Sequence, residues 1–154
     1  PTSDYEKLFA HARAEGIPFT IHAGEAAGPE SIRQAVDYGT ARIGHGVNCI
    51  HDKNLMNIIA EKGITLELCP TSNLNTKIVN DIKDYPIDKI INNKIKVTIN
   101  TDNMTVSGTD EASEMKLICD TFGYDGNMRR IFVDNAIDAA FLSNEMKENL
   151  RGNL

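Results

Sequence analysis

Four short apolar runs, each stopped by a cluster of polar and conformationally special residues, set the terms on which this chain can fold. The first ends in Thr20-Ile21-His22-Ala23-Gly24-Glu25, and the second runs from Ala41 through Ile43 into Gly44-His45-Gly46. The third covers Ile64 to Leu68 and delivers Cys69-Pro70-Thr71-Ser72-Asn73; the fourth covers Lys94 to Ile99 and ends in Asn100-Thr101-Asp102-Asn103. Runs of this length, rich in β-branched residues and bounded by glycine, proline and asparagine, predict buried strands. His22, His45, Pro70 and Asp102 follow one another after 23, 25 and 32 residues, close to one strand-plus-helix unit.

The intervening segments supply the helices. Ser3 and Glu6 make a capping box for a helix with Leu8, Phe9 and Ala12 on one face, ending at Gly16. Pro29 opens a helix that spaces Ile32, Ala35 and Val36 for burial, and Asp52 can cap one carrying Leu55, Ile58, Ile59 and Ala60 before Gly63. Pro86 to Asn93 predicts a short helix. From Thr109 onward the pattern is helical only: Ala112, Met115, Ile118 and Cys119, then Ile131, Ala136, Ile137 and Ala140, then an amphiphilic turn from Ser143 to Leu150. The expected fold is therefore α/β, about four βα units with parallel strands followed by C-terminal helices, with the chemistry at the strand C-termini. A (β/α)8 barrel takes eight such units over about 250 residues, so the chain supplies about half of one. No proline- or glycine-rich linker divides residues 1–154, which are expected to form one domain.

Composition narrows the function classes. A net charge of -6 without a basic stripe argues against a nucleic-acid partner. No apolar run approaches the roughly 20 residues that cross a bilayer, and the start, Pro1-Thr2-Ser3-Asp4, has neither a signal pattern nor a methionine. That start suggests a processed or truncated chain. Cys49, Cys69 and Cys119 have no Cys-x-x-Cys spacing, which disfavours a disulfide framework or thiolate metal site and fits a cytoplasmic protein with buried structural thiols.

The four strand-end clusters, Thr20-Ile-His-Ala-Gly-Glu25, Arg42-Ile-Gly-His-Gly-Val47, Leu68-Cys-Pro-Thr-Ser-Asn73 and Asn100-Thr-Asp-Asn103, resemble in order the motifs of the adenosine deaminase family. The resemblance covers most of residues 18–108 and extends into the helical tail. It implies the C-terminal half of a TIM (β/α)8 barrel, strands five to eight with a helical cover, from a zinc-dependent enzyme that hydrolyses adenosine and deoxyadenosine, small-molecule substrates, to inosine-type products and ammonia. Matched residue by residue, His22 and Asp102 correspond to zinc ligands and Glu25 to the donor of a proton to purine N1. His45 corresponds to the residue that orients or deprotonates the attacking water. Each has a bland rival: a satisfied strand-end histidine for His22, a salt-bridged carboxylate for Glu25, a hydrogen-bonded core histidine for His45 and a helix N-cap for Asp102. Ser72 and Asn73 are expected to stabilise their loop, His11 and His51 to be surface histidines, and Met104, Met115 and Met128 to fill the core.

Two departures qualify the resemblance. Where the family has Asp-Asp this chain has Asp102-Asn103, and an amide at Asn103 can donate to purine N7 without first acquiring a proton. The family's remaining zinc ligands form a His-x-His pair after the first barrel strand, and no such pair occurs among the four histidines here. A C-terminal fragment is expected, inactive alone and holding an incomplete zinc site. Its open strand edges would favour a homodimer, which light scattering would detect. The alternatives are an adenine or AMP deaminase of the same superfamily, or a non-catalytic remnant that binds purines or self-associates.

Overall fold

A computed structural model of the protein describes residues 2–153, with side chains from Asp4 onward. Helix α1 (Glu6–Ala14) precedes strand β1 (Thr20–Ala23), and α2 (Pro29–Asp37), β2 (Arg42–His45), α3 (Lys53–Lys62) and β3 (Thr65–Leu68) follow in alternation. After β3 come α4 (Pro70–Asn75) and α5 (Ile87–Asn92), then β4 (Val97–Ile99). The chain ends in α6 (Met104–Ser107), α7 (Glu111–Phe122), α8 (Gly126–Ala139) and α9 (Asn144–Gly152). The strands form one parallel sheet in the order β1-β2-β3-β4, with Ala23 beside His45 and Leu68 beside Ile99 at the C-terminal ends. Sequential order and parallel direction bring all four strand ends to one rim. Among the described residues β1 and β4 are edge strands.

The helices cover one face. Ile32, Ala35 and Val36 of α2, Leu55, Met56 and Ile59 of α3, and Phe132 of α8 are buried against Ile21, Ile43, Leu66 and Val97 in one continuous cluster. Each fully buried aliphatic side chain contributes about 1.5–3 kcal/mol. Proline at the start of α2 and the Asp52 carboxylate accepting from Leu55 N–H at the start of α3 match the expected signals. The opposite face of the sheet is polar: Thr20 Oγ1 donates to Glu67 Oε2 at 2.7 Å, and Arg42 Nε lies 3.1 Å from Glu67 Oε1.

Several local expectations need correction. Leu8 of α1 is 60% exposed, no described residue of that helix is buried, and Phe9 instead stacks between Phe19 and Tyr38. The Ser3–Glu6 capping box involves a side chain outside the described residues. Met104 is 53% exposed rather than core, because it starts the short helix α6 at the rim. Pro70-Thr71-Ser72-Asn73 is not a loop but the first turn of α4, since proline is well suited to an initial helical position. Cys49, Cys69 and Cys119 are free and buried, and burial pushes the thiols of Cys49 and Cys69 up to about 12, which keeps them unreactive.

Candidate active site

The strand ends that carry the chemistry are held in unusual backbone conformations. His45 and Asp102 have φ of 62° and 57°, a left-handed geometry that costs a residue with a Cβ about 1–2 kcal/mol. Aspartate and histidine enter this region more readily than most residues, and at the buried His45 the surrounding structure holds the turn in place. Around His45 it does so through Gly46, whose N–H donates to Ala23 O at 2.9 Å and whose own φ is 71°. Gly24, also left-handed at 69°, donates its N–H to Ser31 Oγ and lets the chain double back over Ile32.

These turns gather the sequence-predicted residues. Glu25, with 17% of its side chain exposed, lies between two imidazoles: Oε2 is 3.0 Å from His22 Nε2, and Oε1 is 3.7 Å from His45 Nδ1. The two rings approach with centroids 4.2 Å apart. His45 Nε2 points the other way and stands 4.0 Å from Asp102 Oδ2. His22 and Asp102 are the solvent-facing members, 59% and 38% exposed at the side chain, whereas His45 is 1% exposed. A cleft of about 370 Å³ lined by His22, Glu25, Ser31 and Gln34 opens beside the cluster. Burial, reinforced by the neighbouring His22, holds the His45 imidazole below the usual histidine range, so it is neutral at pH 7.

Asn103 sits at the rim as the N-cap of α6, its Oδ1 accepting from Val106 N–H at 2.9 Å, which leaves its Nδ2 to donate. The helix-capping duty weighed for Asp102 thus falls on Asn103, while Asp102 Oδ2 accepts from Ser72 Oγ at 2.7 Å. Ser72 and Asn73 do more than stabilise a loop, for Asn73 Nδ2 reaches His45 Nδ1 at 3.0 Å and Glu25 Oε1 at 3.4 Å. Tyr85 completes the group by donating to Asn73 Oδ1 at 2.9 Å. No signal in the sequence marked Tyr85, which lies in an irregular segment, and only its burial as a lone aromatic could have drawn notice. His11 and His51 are exposed and distant from the cluster's hydrogen bonds.

The adenosine deaminase family model matches residues 1–154 in full. The chain belongs to the adenosine deaminase family. It is 44% identical over 149 residues to adenosine deaminase of Haemophilus ducreyi, covering 97% of this chain and 43% of that protein. An adenine deaminase from Arthrobacter aurescens superposes with a TM-score of 0.92 at 24% identity, over 97% of this chain and 46% of that one, and shares the fold. An amidohydrolase from Burkholderia ambifaria with bound Zn gives 0.89 at 26% identity, over 99% and 43%. The sheet is accordingly part of a TIM-type barrel, and the chain spans somewhat under half the length of the curated relatives it matches. Among the described residues no helix is long and apolar enough to cross a membrane.

The donor set suits a metal. Ligand atoms of His22, Glu25 and His45 all lie within 4.8 Å of one another, and Asp102 faces the same group from across His45. Imidazole nitrogen with carboxylate oxygen is a combination that zinc accepts. The compact triad includes Glu25 and His45 beside His22, a different grouping from the His22 and Asp102 pair expected from the motif.

Proposed function

We propose that this chain carries the strand five to eight portion of a hydrolytic deaminase that converts adenosine and deoxyadenosine to inosine-type nucleosides and ammonia. The observation that carries the reading is the convergence of His22, Glu25, His45 and Asp102, drawn from three strand ends, within hydrogen-bonding or near-contact distance of one another. In this reading His22 and Asp102 are the residues that hold zinc. Zinc, when bound, supplies a water acidified to a pKa of about 7.

The chain's own groups account for the rest. Glu25 is placed to donate a proton to purine N1, which neutralises the charge that builds on the ring as C6 is attacked. His45, neutral and shielded from solvent, orients the attacking water. Asp102 keeps its direction through Ser72. Asn103 offers its Nδ2 to N7, so its loss should act mainly on binding. Asn103→Ala is expected to raise KM by about tenfold with kcat changed far less; collapse of kcat at constant KM, measured by steady-state ammonia release, would remove Asn103 from substrate contact.

The deciding experiment is ammonia release by the zinc-loaded complete barrel that carries this segment, with adenosine, deoxyadenosine, adenine and AMP compared at equal concentration. A kcat/KM highest for the two nucleosides supports the proposal. Preference for adenine or AMP would assign the chain to a different deaminase of the same superfamily. No release with any of the four would favour a purine-binding or self-associating protein.

A further inference from the structure

Tyr85 has no role in the reaction as described, yet it is 2% exposed and directs its hydroxyl to the amide that touches His45. A carboxamide has one accepting end and one donating end, so its neighbours settle which way it points. Burial pushes the Tyr85 phenol well above its ordinary value, so it stays protonated, and the Cys69 backbone hydrogen-bonds its oxygen. The phenolic hydrogen is thus available to Asn73 Oδ1. At the other end Asn73 Nδ2 faces Glu25 Oε1 as well as His45 Nδ1. A reversed amide would set its oxygen against a carboxylate oxygen.

Nδ1 of His45 therefore accepts a hydrogen bond, and a neutral imidazole that accepts at Nδ1 carries its proton at Nε2. That is the nitrogen facing Asp102. We propose that Tyr85 and Asn73 are positioning residues that hold His45 in the tautomer with Nδ1 accepting and Nε2 donating, so that its N–H is presented on the side where Asp102 stands. The inference rests on the reading of His45 given above, but it is tested without reference to turnover.

The experiment is a two-bond ¹H–¹⁵N correlation spectrum of the full chain labelled with ¹⁵N-histidine at about pH 8, above the ordinary imidazole value of about 6.5. His11→Gln and His51→Gln assist the assignment. Expected is a His45 Nδ1 resonance in the unprotonated range and Nε2 in the protonated range. Tyr85→Phe should draw the two shifts together as the tautomers mix, and Asn73→Asp, which presents an acceptor to Nδ1, should invert them. A wild-type spectrum with the proton on Nδ1 overturns the proposal even if neither variant folds, as does an unchanged spectrum in a folded Tyr85→Phe. In the active deaminase Tyr85→Phe should lower kcat by about tenfold with KM little altered. A complete, active barrel with Nδ1-protonated His45 refutes this inference alone; a complete, zinc-loaded barrel that is inactive but shows the expected tautomer refutes the deaminase reading and leaves the tautomer standing.

Discussion

Glu25→Gln is expected to lower kcat of the deaminase by about 10²- to 10⁴-fold, the usual span for loss of a positioned proton donor. The substitution is close to isosteric and keeps an oxygen for Thr76 and Asn73, both of which contact Oε1 at 3.4 Å. What it removes is the proton that Glu25 would deliver to purine N1. The fold should tolerate it, since the side chain keeps its shape and retains some solvent exposure. Steady-state ammonia release, with thermal unfolding as a control, measures both. A loss of less than tenfold in a protein of unchanged stability would mean that the ring acquires its proton elsewhere, and that Glu25 serves only to orient His22.

Gly24→Ala should be the most damaging single methyl that can be added near the site. The new Cβ would lie 2.2 Å from Ile32 Cδ1 and 2.4 Å from Cγ1, with Gly46 Cα at 3.2 Å on another side. Ile32 is fully buried and cannot swing into solvent. Left-handed strain of about 1–2 kcal/mol adds to overpacking of about 1–3 kcal/mol, so about 3 kcal/mol is expected. For a chain of this size that is a fall in Tm of about 10 °C. Gly63→Ala is the natural comparison: φ is +66° there, but nothing lies within 4 Å of the added carbon. It should cost about 1–2 kcal/mol from the backbone alone. Equal Tm losses for the two variants, by calorimetry, would show that the contact with Ile32 relaxes freely and that Gly24 is needed only for its backbone angle.

The sequence by itself determined the alternation of strands and helices and the placement of His22, Glu25, His45 and Asp102 at strand ends. Apolar runs bounded by turn residues report burial and period directly, and consecutive motifs one βα unit apart must emerge on the same rim of a parallel sheet. Local pattern misjudged the outside of α1, where Leu8 has the spacing of a buried residue and little to pack against among the described residues. Sequence offered the helix cap only as a rival role for Asp102, because aspartate and asparagine are equally good caps, and the structure gives that role to Asn103, whose oxygen meets Val106 N–H beyond the left-handed turn at Asp102. Asn73 and Tyr85 were beyond reach for a different reason. Their importance comes from hydrogen bonds to residues 28 and 12 positions away, and no periodicity records which end of a buried amide faces which neighbour. The tertiary structure alone decided that orientation: a polar group sealed from water must find a partner among whatever the fold brings to it.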